Sequence, residues 1–240
     1  MSSNIEGTQT GTGDLAGSKL TSLYERRFSQ EELAAKRALW NALCRGFFDR
    51  YIGTEDTVLD LAAGRCEFIN ACQGRQKIAV DLNPEVKRWV HAASAIVARS
   101  DNLIGVDDDS VDVVFTSNFF EHLASKAELL DTLAECWRVL RPDGRLLVLM
   151  PNLRYVKGRY WDYFDHQLPL THLSLVEGLR MAGFEPMRVI PRFLPYTVKG
   201  FRIKIRPVLV HAYLRLPVVW PLLGGQMFVV ARKHSDPFDA

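Results

Sequence analysis

Short apolar runs alternate with stretches of helical period from Thr57 onward, and this alternation sets the expected architecture. Val58 to Asp60 reads as a first strand, and residues 67–73 as the helix that follows it. Ile78 to Asp81 is a second strand. Asn83-Pro84 then opens a helix over residues 85–93, with the proline pre-set for the first turn. Ala95 to Ala98 is a third strand and Val111 to Thr116 a fourth. Ser125 and Glu128 form a capping box before a helix whose apolar stripe is Leu129, Leu130, Leu133, Cys136, Trp137 and Leu140. Pro142-Asp143-Gly144 is a turn into a buried fifth strand, Leu146 to Met150. Strand and helix thus alternate five times, the pattern of a parallel, doubly wound α/β sheet.

The regions on either side carry different signals. Ser29 and Glu32 form a capping box, and Leu33, Trp40, Leu43, Cys44, Phe47, Phe48 and Tyr51 follow at helical spacing. This helix is expected to pack on the sheet edge, with Tyr24, Arg26 and Arg27 read as surface residues. After Pro151-Asn152 the alternation breaks into an aromatic loop over residues 153–172. Ser174 and Glu177 cap a helix that ends at Gly183, Phe184 leads into a sixth strand through Ile190, and Gly225 to Lys233 is the last strand. Residues 194–224 intervene. They hold Lys199, Arg202, Lys204 and Arg206, then Val208-Leu209-Val210, Tyr213-Leu214 and Val218-Val219-Trp220. Arg215, Pro217 and Pro221 interrupt the apolar stretch, which excludes a transmembrane helix there. Three uses stay open: a lid over a substrate pocket, a basic amphipathic patch for a membrane or an anionic substrate, and a packed helical insertion that stabilises the sheet edge or a homodimer.

Composition adds bounds. At 240 residues, 48% apolar and 24% charged, the chain suits one large domain, expected over residues 19–240. Residues 1–18 are polar and glycine-rich, and are expected to be a disordered tail without a signal peptide. A net charge of +2 gives no case for nucleic acid as partner. Cys44, Cys66, Cys72 and Cys136 have no metal spacing, so reduced thiols in a cytoplasm are expected. No metal site is expected either: Asp107-Asp108-Asp109-Ser110 is read as a turn.

The richest chemistry lies in Thr57 to Glu67, Thr-Val-Leu-Asp-Leu-Ala-Ala-Gly-Arg-Cys-Glu. The small residues Ala62, Ala63 and Gly64 let a ligand approach the backbone after the first strand, where open α/β sheets bind ligands. Asp81 closes the second strand and suits the two hydroxyls of a ribose. A dinucleotide site would need three glycines around a pyrophosphate. Here Gly64 stands alone, and Asp60 and Glu67 repel phosphate while favouring a cationic ligand. Asp60-Leu-Ala-Ala-Gly64 resembles the first motif of class I S-adenosylmethionine (SAM) dependent methyltransferases, with Ala62 and Cys66 where glycines are common. Ser117-Asn-Phe-Phe-Glu-His-Leu123 and Leu140-Arg-Pro-Asp-Gly-Arg-Leu-Leu-Val148 are similar to later segments of that family. So is the stretch from Asp165-His166 to Ala182-Gly183-Phe184.

The resemblance spans about residues 55–190 plus the last strand, and implies a mostly parallel, seven-stranded Rossmann-like sheet with helices on both faces and an inserted lid before the last strand. It implies SAM as cofactor, held by Asp60, Ala62, Gly64, Asp81 and Leu82, with Asp101 and Asn102 beside the adenine and Ser117 and Asn118 beside the methionine part. The expected reaction is methyl transfer to a hydroxyl of a small molecule or sugar. Such an acceptor must lose a proton, and His166 beside Asp165 is the candidate base; His122 is read as a loop anchor, with His172 in reserve. Tyr155, Tyr160, Trp161 and Tyr163 are the candidate acceptor wall. The competing readings are a non-catalytic SAM-binding protein, and methylation of nitrogen, carbon or a macromolecule.

Overall fold

The computed structural model describes residues 30–196 and 207–234. Seven strands form one sheet in the order β3-β2-β1-β4-β5-β7-β6. They are β1 Thr57–Leu61, β2 Gln76–Asp81, β3 Ser94–Val97, β4 Val111–Ser117, β5 Leu140–Pro151, β6 Phe184–Ile190 and β7 Gln226–Lys233. β1 to β5 pair in parallel, and β7 runs antiparallel between β5 and β6. Every residue of β1 is buried, as expected for a parallel strand covered on both faces. The register pairs Leu61 with Val80 and Thr116, Asp81 with Val97, and Ser117 with Leu149. The carboxyl ends of these strands therefore share one edge, which places the loops after β1, β2, β4 and β5 together.

The helices are α1 Gln30–Gly46, α2 Glu67–Ala71, α3 Val86–Trp89, α4 Lys126–Val139, α5 Leu153–Val156, α6 His172–Met181, α7 Pro207–Arg215 and α8 Trp220–Leu223. Period-2 alternation along the strands splits the core in two. Leu59, Leu61, Val114, Leu146 and Val148 face α4 and α6. Val58, Phe115, Leu147, Leu149 and Phe228 face the other layer, built by α1, α2 and α7.

α1 lies on this second face, not on the sheet edge. Trp40 meets Phe115 of the central β4 edge to face at 5.9 Å, and Phe47, just past the helix, packs on Phe193 and Phe228 at 4.2 and 5.2 Å. The large rings of β4 and β7 offer α1 more apolar area than an edge would. The described part of the insertion is the packed-helix alternative. Val210, Leu214 and Trp220 join the α1 layer, and a methyl group on Gly46 would sit 2.7 Å from Leu214 Cδ1. The basic stretch Lys199 to Arg206 lies outside the described residues, as do the tail and Tyr24, Arg26, Arg27 and Ser29.

Several boundaries move. Residues 153–162 are α5 and a 3-10 turn rather than a loop, and α3 is confined to Val86–Trp89. α6 begins at His172, with Thr171 as N-cap and Ser174 completing the box, because Thr171-x-x-Ser174 overlaps Ser174-x-x-Glu177. Buried Asn152 selects the earlier start by pairing its Nδ2 with His172 Nδ1 at 3.0 Å. Pro142 to Gly144 bulge from β5, between Leu140 paired with Val111 and Arg145 paired with Val113. In the Asp107–Asp109 turn, Asp108 is held by Arg138 at 2.5 Å and Asp109 by Lys233 at 2.6 Å.

Candidate active site

The loop after β1 has alternating left-handed residues: Ala62 at φ 57°, Gly64 at φ 52° and Cys66 at φ 60°. These are the positions where the resembling family carries glycines. An alanine or cysteine held there costs roughly 1–2 kcal/mol, so the surroundings must impose the shape. Ala63 N donates to Val80 O at 3.0 Å, and Cys66 N to Ala63 O at 2.8 Å. Asp81 completes the clamp: Oδ2 accepts from Gly64 N at 2.7 Å and Oδ1 from Asn83 N at 2.8 Å. The carboxylate thus ties the loops after β1 and β2 into one cradle.

Asp60 lies beneath that cradle, 3% exposed. Burial pushes its carboxyl well above the usual range; a hydrogen bond from the Ile69 main chain opposes this, and the acids Asp81 and Glu67 add to it. Glu67 meets Lys36 of α1 at 3.4 Å. Leu82, immediately past Asp81, is 66% exposed. Ser117 ends β4 and Asn118 follows it; Asn118, at φ 50°, donates its main-chain N–H to Leu149 O at 2.8 Å and its amide to Ser117 Oγ at 3.0 Å. Asp101 is engaged by Arg99 through two bonds of 2.8–2.9 Å, which hold its carboxyl below the usual range. Asn102 is exposed, and bridges to Arg99 through the main chain.

A second group gathers beyond β4 and β5. The 3-10 turn Phe120–His122 is tied to the chain after His166, since Glu121 O accepts from Gln167 N at 2.8 Å and from Leu168 N at 3.1 Å. His122 and His166 meet edge to face at 5.1 Å. His166 is buried, stacked on Tyr163 at 5.0 Å and against Tyr160 at 4.6 Å. Burial first, and then His122, push its pKa below the ordinary histidine value, against smaller opposing effects of Asp165 and the Tyr160 main chain. Its Nδ1 is buried and, among the described residues, has no hydrogen-bond partner.

Asp165 turns to His122 rather than His166: its main-chain O lies 3.0 Å from His122 Nδ1 and its Oδ2 3.7 Å from the same atom. Of the four wall candidates, Tyr163 flanks His166. Tyr160 is fully buried and donates its hydroxyl to Leu168 O at 2.6 Å, and Trp161 is exposed. Tyr155 lies apart, under Arg192 and stacked with His172. Tyr196 joins the group, 6.2 Å from Tyr163, and no pattern in the sequence pointed to it. Glu121 also belongs here, buried in the middle of the group.

Residues 59–148 match the methyltransferase domain family. Over 116 residues, 46% of this chain and 44% of the relative, the sequence is 41% identical to a Mycolicibacterium smegmatis protein named as a SAM-dependent methyltransferase. Over 179 residues, 67% of this chain and 63% of the relative, it is 27% identical to the malonyl-[acyl-carrier protein] O-methyltransferase of Methylococcus capsulatus. The chain thus spans about half the length of the M. smegmatis relative. A SAM-dependent methyltransferase structure from Archaeoglobus fulgidus superposes over 89% of this chain and 99% of that one, with a TM-score of 0.64 at 20% identity. The chain carries a class I SAM-dependent methyltransferase domain, and the cofactor of that class is SAM.

The cradle fits such a ligand. A Cβ built on Gly64 meets nothing within 4 Å, so the loop backbone is open to close approach. The acidic side chains Asp81 and Glu67 near it suit a cation, and exposed Leu82 offers an apolar face beside Asp81. Among the described residues no helix is long and apolar enough to cross a membrane.

Proposed function

We propose that the protein transfers the methyl group of SAM to a hydroxyl oxygen of a small molecule or sugar. When bound, SAM supplies a methyl group on a sulfonium leaving group. Asp81 holds the ribose, Leu82 packs on the base, and Asp101 and Asn102 border the adenine. Ala62 and Gly64 let the ligand lie on bare backbone above Asp60, while Ser117 and Asn118 border its methionine part. Tyr163, Tyr160 and Trp161 form the acceptor side beside His166, and Tyr155, set apart under Arg192, is left out of it.

The observation that carries the oxygen reading is the bare, buried Nδ1 of His166. A neutral imidazole nitrogen in a partly dry aromatic niche is a proton acceptor for an alcohol, and such help contributes about 10²–10⁴-fold. Asp165 acts on His166 indirectly, by orienting His122 against it. The M. capsulatus relative, named as an O-methyltransferase, supports the same class of acceptor atom. Four buried, unpaired cysteines support a reducing, cytoplasmic setting. The test is S-adenosylhomocysteine release from SAM with a panel of phenols, sugars and amines. Release with hydroxyl acceptors, reduced at least about 100-fold in His166→Ala, supports the reading; turnover confined to amines overturns it.

A further inference from the structure

Glu121 is 1% exposed and, among the described residues, its Oε2 has no hydrogen-bond partner. The charged neighbour acting on it is a second acid, Asp165, and among the described residues no lysine or arginine offsets its charge. A buried carboxylate without a cation is costly, and such groups are normally paired or bound to a metal.

Two imidazoles flank it in complementary states. His122 donates Nδ1–H to the Asp165 carbonyl at 3.0 Å, which leaves Nε2 as a lone pair. His166 is hydrogen-bonded to the Tyr160 main chain, and its buried Nδ1 is bare. Metal-ligating histidines have this arrangement, with one nitrogen tied to a carbonyl and the other free. One donor atom from each of Glu121, His122 and His166 lies within 4.8 Å of the others.

We propose that Glu121, His122 and His166 bind a divalent first-row transition cation of the Zn²⁺ class. Two imidazoles and one carboxylate match such ions better than Mg²⁺ or Ca²⁺, which favour oxygen donors. Bonds of about 2.0–2.2 Å bring the donors to about 3.3 Å from one another, so each side chain closes inward by roughly 1 Å. The frame for that closure exists, because Glu121 O already ties the two segments through Gln167 and Leu168. The site holds whatever the reaction is. With the cation in place His166 is a ligand, and a hydroxyl at the open position is acidified by the ion instead.

The test uses the full chain, stripped with a chelator and titrated with CoCl₂ and then ZnCl₂. The expected result is one Co²⁺ per chain, with visible d–d absorption of a four- or five-coordinate ion, displaced by one equivalent of Zn²⁺. Glu121→Gln and His166→Ala should each weaken Co²⁺ binding at least about ten-fold. If circular dichroism finds Glu121→Gln unfolded, His122→Ala and His166→Ala make the comparison. Absence of d–d absorption, or binding that all three substitutions leave unchanged, overturns the proposal and leaves Glu121 as a buried neutral acid. SAM titration of the same samples reads the cofactor site separately, so failure of one reading is distinguishable from failure of the other.

Discussion

Asp81→Ala removes the group that joins the loops after β1 and β2, and its effect has two separable parts. In the ligand-free protein the carboxylate accepts main-chain bonds from Gly64 at 2.7 Å and Asn83 at 2.8 Å. Hydrogen bonds to a charged group contribute about 1.5–3 kcal/mol each. Gly64 is exposed, so the lower figure applies, and the pair is worth about 3 kcal/mol. For a chain of this size that lowers Tm by about 6–12 °C. If the remaining lone pairs receive two ribose hydroxyls, their loss costs about another 3 kcal/mol of binding, or about 100-fold in Kd. Asp81→Asn is the control. Its amide keeps the volume but offers one acceptor to two N–H donors, so both effects should be intermediate. The assays are thermal unfolding without ligand and calorimetric titration with SAM, on samples with native circular dichroism. A folded Asp81→Ala protein that binds SAM within two-fold of wild type would refute the ribose assignment.

Three further outcomes follow from the geometry. Ala62→Gly relieves a left-handed residue at φ 57° and should raise stability by up to about 1 kcal/mol; a lower Tm would mean that the strain is absent. Phe115→Ala deletes a ring stacked on Phe68 at 3.6 Å and touched by Trp40. It should cost about 3–5 kcal/mol in urea unfolding, and a loss under 1 kcal/mol would contradict this packing. Asp60 has a folded pKa raised above its unfolded value, so its contribution is full below the unfolded pKa and declines as pH rises through the folded one. Asp60→Asn should therefore gain stability relative to wild type between pH 4 and neutrality; a pH-independent difference would count against the burial of a charge there.

The sequence exposed those parts of the fold that depend on local order. Continuous apolar runs marked β1, β2, β4 and β5, because parallel strands buried on both faces carry apolar residues throughout. Asp60, Gly64 and Asp81 were readable because strand ends and tight loops impose residue types at fixed places. The place of α1 was not, since an apolar stripe states that a helix packs but not against which strand. The start of α6 was ambiguous between two overlapping capping boxes, and a tertiary contact from Asn152 decided it. Glu121 shows the deepest gap. Its Glu-His-Leu segment was visible, but the burial of its carboxyl with an unpartnered Oε2 among the described residues is a property of the fold, and Tyr196 reaches the same group from thirty residues beyond His166.

Calorimetric titration of the purified protein with SAM, S-adenosylhomocysteine and NAD(P)H tests the cofactor cradle most directly. The acidic, glycine-poor loop and its exposed backbone predict one site per chain for the first two, at about micromolar affinity, and no heat from NAD(P)H. Binding of NAD(P)H, or silence toward SAM from a folded sample, would contradict the account.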